Sequence, residues 1–282
     1  MKSFASILSV SLLVACGDNH DSHDNPDAAT QPVAVSIQFA AEVGGTPFAC
    51  GDTYPSIGSA SSPYVGTDFR FYVHDVQLVG DDGSVPVALD SNEFQDDGVA
   101  LLDFETGGTG CQMGSPSTHT AVTGTITPGT YTGLSFKVGV PFAKNHLDAT
   151  TAAAPLNIPA MYWAWSSGYK FLKADGTVGG AGFNLHLGST MCPAMGTTPS
   201  TTPCANPNIM EITLSGYQLE TSIVVADVAR VLTDVDVTVN TAMTAPGCMS
   251  FPGDPECNTV LPKLGLAYGT NAAQAQTLFT LE

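Results

Sequence analysis

Residues 33–39 alternate apolar and polar positions one for one, as a strand with one buried face requires. A longer run at 69–79 carries the same strand-forming residues and closes on the turn Gly80-Asp81-Asp82-Gly83. Runs at 123–126 and 131–138 flank Pro128-Gly129, which predicts a hairpin-like turn. Further strands are expected at 168–173, 182–187, 210–214, 222–225 and 235–239. Helical periodicity is scarce and predicts short helices only at 227–233 and 271–276. The segments 50–67, 145–159, 190–208 and 241–261 read as long loops. Many short strands separated by Gly and Pro turns predict an all-β chain, folded as an antiparallel β-sandwich with long stapled loops.

The two ends of the pattern differ. Lys2 is followed by a short apolar stretch and by Leu13-Val14-Ala15-Cys16-Gly17, too short to span a bilayer as a mature helix. Residues 1–15 therefore read as an export signal, and the residues before Cys16 resemble the bacterial lipobox. Cleavage there leaves Cys16 lipidated, and residues 16–31 form a polar tether without apolar period. The expected location is the bacterial cell envelope, as a periplasm-facing or outer-membrane lipoprotein. His20 and His23 fall in the tether as solvated residues. No composition shift or repeat divides residues 32–282, which are expected to form a single domain.

Charge and cysteines narrow the function. Eight Lys and Arg against 26 Asp and Glu give a net charge of −18, which excludes the basic footprint of nucleic-acid binding. Beyond Cys16, six of the seven cysteines remain, an even number that predicts disulfides in an exported chain. Cys192 with Cys204 and Cys248 with Cys257 close short loops, which leaves Cys50 with Cys111. Neither Gly-x-Ser-x-Gly nor His-Glu-x-x-His is present, so the chain reads as a binding protein and not an enzyme. The Asp81-Asp82-Gly83 turn lacks the spacing of a calcium loop.

The residues that carry chemistry lie around Met161-Tyr162-Trp163-Ala164-Trp165. In an extended strand Met161, Trp163 and Trp165 share a face. His146 precedes this segment and His186 follows it, while His74 lies within the 69–79 strand. Imidazoles beside a thioether and two oxidisable indoles suggest a copper site, against the plainer alternative of sandwich core. Asp148 is the expected acceptor fixing the His146 tautomer, and Met161 either packs or supports the site. His119 sits in a polar loop and is expected at the surface.

Several stretches together resemble the MbnP family, the four-cysteine member of a metallo-mystery pair. They are Phe71-Tyr72-Val73-His74-Asp75-Val76, Val99-Ala100-Leu101-Leu102-Asp103-Phe104, Gly139-Val140-Pro141-Phe142 and Asn145-His146-Leu147-Asp148. Pro155-Leu156-Asn157, the Met161–Trp165 segment, Gly168-Tyr169-Lys170-Phe171 and His186-Leu187-Gly188-Ser189-Thr190-Met191-Cys192 continue the match. Gly247-Cys248-Met249 and Asp254-Pro255-Glu256-Cys257 complete it. The family is similar in chemistry to the copper proteins CorA and MopE. The resemblance implies an exported copper protein, with Cu(I) favoured over Cu(II), for copper capture or handover. It implies ligands among His74, His146 and His186. It also implies that a tryptophan is oxidised to kynurenine by a dihaem partner (MbnH) of the cytochrome c peroxidase type; Trp165, which borders the Ser166-Ser167-Gly168 turn, is preferred to Trp163 on position. The alternative is a metal-free acidic scaffold or adhesion lipoprotein. A secreted hydrolase lacks a nucleophile–base pair.

Overall fold

The computed structural model describes residues 31–111, 114, 116–164, 167–193 and 202–282. Cys16, His20, His23 and Trp165 lie outside the described residues. Gln31–Glu282 is one compact unit. No helix among the described residues is long and apolar enough to cross a membrane.

Strands dominate and build two main sheets. The smaller runs Phe279–Leu281, Ile223–Asp227, Val33–Glu42, Ala121–Ile126, Ala88–Leu89. The larger is organised on Ser62–Gly80, which pairs with Leu172–Val178, Gly133–Val138, Val99–Asp103, Thr53–Ile57 and Gly83–Pro86 along its length. Ala181–Leu187 and Gly247–Cys248 extend it beyond Leu172–Val178. Alternation decides what each strand buries: Val35, Ile37, Phe39 and Ala41 face inward from Val33–Glu42. Phe39 and Phe279 from the small sheet meet Phe71 and Phe136 from the large one, edge to face. Their centroids lie 5.3 to 6.0 Å apart, so these rings join the two sheets.

The sandwich is all-β, with mostly antiparallel pairing. Among the described residues two pairs run parallel: Val33–Glu42 with Ile223–Asp227, and Ala181–Leu187 with Gly247–Cys248. Pro128-Gly129 does not close a hairpin. Ala121–Ile126 pairs in the small sheet and Gly133–Val138 in the large one, so the turn carries the chain between layers. Residues 235–239 form no strand, because the Asp236 carboxylate accepts from the Thr238 N–H and hydroxyl and bends the chain locally. Residues 271–276 form no helix. Gln274 N–H instead donates to Pro262 C=O, and Thr277 N–H to Lys263 C=O, beyond the short helix Cys257–Lys263. That helix and the strand Thr53–Ile57 occupy stretches expected to be loops. The short helix Val228–Leu232 is present, capped by the Asp227 carboxylate accepting from Ala229 N–H.

The cysteines pair Cys50–Cys111, Cys192–Cys204 and Cys248–Cys257. The last two close separations of only 12 and 9 residues. All three restrain the irregular chain that surrounds the sheets.

Candidate metal centre

His74 owes its place to a break in the central strand. Pairing with Gly133–Val138 shifts register between His74 and Gln77, and Asp75 takes φ of 54°, the local conformation of a bulge. The imidazole is 8% exposed and its Nε2 has no hydrogen-bond partner. Burial pushes its pKa down to about 4, so the ring is unprotonated near neutrality. It lines a groove of about 580 Å³ with Lys137, Phe142, Asn206, Asn208 and Glu211.

His186 lies on Ala181–Leu187, opposite Lys173. Its Nε2 is 2.7 Å from Asp175 Oδ1, with the His186 side chain 7% and the Asp175 side chain 13% exposed. The contact is at hydrogen-bond distance but off axis, and neither ring nitrogen completes a hydrogen bond. Asp175 Oδ2 is 3.0 Å from Lys173 Nζ, which also pairs with Asp68, itself held by Arg70. Four charges on two neighbouring strands thus alternate in sign beneath His186. Burial opposes ionisation of Asp175, yet His186 and Lys173 hold its carboxyl below the usual range.

Trp163 stands beside His186. The strand Tyr162–Ala164 is short and pairs with Gly168–Tyr169. The half-buried indole has its centroid 6.3 Å from the His186 ring and 5.6 Å from Phe251. Gly188 lets the indole approach: a Cβ there would lie 2.4 Å from Trp163 Cζ3. Gly168 has φ of 77°, and a Cβ would lie 2.4 Å from Asn145 Oδ1. Only glycine meets both demands. Asn145 in turn accepts from Tyr169 N–H and donates to Ser189 Oγ, tying the segment before His146 to the end of the His186 strand.

His146 follows the helical turn Phe142–Asn145 and is buried. Its Nε2 is 3.6 Å from Cys204 Sγ, and its ring meets Phe142 edge-on. Asn208 donates to Gly188 C=O, so the wall of the His74 groove also braces the backbone beneath Trp163. The three histidines do not form a group whose ligand atoms all lie within 4.8 Å of one another. The groups that do, among the described residues, are His146–Cys192–Cys204 and Cys50–Glu105–Cys111. In both the sulfurs are spent in a disulfide and supply no thiolate.

Residues 32–250 match the MbnP family model. The chain belongs to the MbnP family. The solved structure of MbnP from Methylosinus trichosporium is similar, with a TM-score of 0.81 at 28% identity over 89% of this chain and 98% of that one. Curated proteins give no match. The MbnP match spans His74, His146, His186, Trp163 and Trp165, and ends before Cys257.

Three expectations within this MbnP chain need correction. Asp148 is exposed, and its Oδ1 accepts from Thr150 N–H and Oγ1; it does not support His146. Met161 ends a 3-10 turn, Pro159–Met161, and is buried in the core, so it lies outside the strand Tyr162–Ala164 and packs with the core. His119 is half-buried rather than fully exposed: its Nδ1 is 2.7 Å from Leu101 C=O and its ring stacks on Phe94 at 4.9 Å. Asp175 and Phe251 were missed because they join the site through sheet register and a disulfide loop. Asp175 lies beyond the strand expected at 168–173, and nothing in the sequence pattern paired it with His186.

Proposed function

We propose that this MbnP-family chain is an exported copper-binding protein that captures or hands over copper and performs no catalysis itself. Family membership ties it to copper. The observation that carries the reading is the pair of buried imidazole nitrogens without hydrogen-bond partners or a facing carboxylate, His74 Nε2 and His186 Nδ1. An unpaired buried polar atom costs about 1–3 kcal/mol, a cost that a bound ligand removes. Imidazole suits copper, and the unprotonated His74 offers a lone pair near neutrality. Ligands are proposed among His74, His146 and His186, with Cu(I) favoured in a low-coordinate imidazole site. The cargo is copper, and these residues hold it.

The proposal includes oxidation of one tryptophan of the Trp163–Trp165 pair to kynurenine by a dihaem enzyme of the cytochrome c peroxidase type, with peroxide as oxidant and oxygen source and the excised ring carbon leaving as formate. An indole N–H only donates, whereas the ring-opened product presents an aryl amine and a ketone with lone pairs. Trp163, beside His186, is placed to put such a group next to an imidazole. Co-expression with the dihaem enzyme is expected to shift the intact mass by the exchange of one carbon for one oxygen. Peptide fragmentation then assigns the modified residue. An unchanged mass with active partner present would exclude the modification. Purified protein that takes up no copper would return the chain to a metal-free scaffold.

The lipidated Cys16 places the domain on the cell envelope, in the periplasm or at the outer membrane. Cys16→Ser is expected to move the protein from the membrane fraction to the soluble fraction, with the fold unchanged. Wild-type protein found wholly soluble would refute the anchor.

A further inference from the structure

We propose that Asp175 is a positioning residue for His186, holding the N–H at Nε2 and leaving Nδ1 as the atom that takes the metal. The inference rests on the copper reading for its consequence, but the contact itself is structural. Asp175 and His186 lie on adjacent antiparallel strands, Leu172–Val178 and Ala181–Leu187, where Lys173 faces His186 and Asp175 faces Asn184. The carboxylate and imidazole are therefore diagonal neighbours on one sheet face, within reach of each other.

Each atom of the carboxylate has a fixed assignment. Oδ2 is committed to Lys173 Nζ at 3.0 Å, and Oδ1 faces His186 Nε2 at 2.7 Å. Lys173 is anchored to Asp68, whose Oδ1 accepts from Arg70 Nε at 2.8 Å. The carboxylate cannot swing away from His186 without breaking a buried ion pair. His186 is held from the other side as well, its carbonyl accepting from Ser250 Oγ at 2.8 Å.

An unprotonated imidazole has one N–H, and the acceptor beside Nε2 fixes it there. Nδ1, buried and without a partner, then carries the lone pair. This is the relation between carboxylate, histidine and metal that sets ligand tautomer and ring orientation in metal sites. A cation held at His186 also meets a carboxylate already present to compensate it. Asp148, two residues from His146 in sequence, is exposed and bonded to Thr150 instead.

The tautomer is read in metal-free protein by long-range proton–nitrogen NMR of labelled histidine. The expected result is Nε2–H at His186 in wild type and loss of that preference in Asp175→Asn. Copper titration of the same variant, folded by its amide spectrum, is expected to show about 10–100-fold weaker binding. Asp175→Glu, which keeps the carboxylate, is expected to restore part of both. Nδ1–H in wild type overturns the proposal, as does unchanged copper affinity in folded Asp175→Asn. Nε2–H in a wild-type protein that binds no copper overturns the copper reading alone and leaves the hold of Asp175 on His186 intact.

Discussion

Replacing Asp68 with alanine is expected to destabilise the fold by about 3–5 kcal/mol, measured by urea unfolding. Asp68 is 2% exposed and stands between Arg70, 1% exposed, and Lys173, 7% exposed. It accepts from both, so its loss strands buried cations that folding has already removed from water. Lys173 retains Asp175, which concentrates the penalty on Arg70. The nearby Asp103 does not replace the lost charge in full, because burial lifts its carboxyl to about 7 and leaves it partly protonated near neutrality. The contrast is Asp234, 71% exposed and 2.5 Å from Lys263, where alanine is expected to cost about 0–1 kcal/mol. Similar losses for the two variants would show that water reaches the Asp68 network and that it is a surface feature in energetic terms.

That network also marks what the sequence could and could not convey. Strands with one buried face were legible, because alternation at 33–39 and the run at 69–79 follow from the two-residue period of the pleat. Pro128-Gly129 signalled a turn, but turn chemistry does not say whether the next strand joins the same sheet, and here it joins the other. The alternation at 235–239 was overridden by a two-residue bond from Asp236 to Thr238. Pro262 and a disulfide concealed the helix Cys257–Lys263 inside an apparent loop.

The candidate site divides the same way. His74, His146 and His186 could be named because imidazoles are rare here and lie in family-like stretches. Their supports could not, because they depend on register. Sequence proximity chose Asp148 for His146, whereas strand pairing brings Asp175 to His186. The bulge at Asp75 that sets His74 apart from its strand leaves no mark in the hydrophobic pattern.

His74→Ala is expected to weaken copper binding by more than the roughly 10–100-fold that loss of a supporting residue costs, since it removes a proposed ligand atom. Its environment makes the pH dependence specific. Burial, slightly opposed by Asp75, takes the imidazole from its ordinary value near 6.5 to about 4. Protons therefore do not compete with copper at this ring until the pH approaches 4, whereas an exposed imidazole would be half protonated near 6.5. In metal-free protein the same depression acts on stability. The unfolded chain takes up the proton first as pH falls, so the contribution of neutral His74 is complete above about 6.5 and lost as pH drops through about 4. Allowing for partial solvent screening, that contribution is about 2–3 kcal/mol. His74→Gln is expected to flatten the loss of stability between those two pH values, as read by urea unfolding at stepped pH. Chelator competition at pH 7 and pH 5 measures the copper arm. If His74→Ala binds copper as tightly as wild type at both pH values, this imidazole is not a ligand and its unpaired Nε2 serves something else.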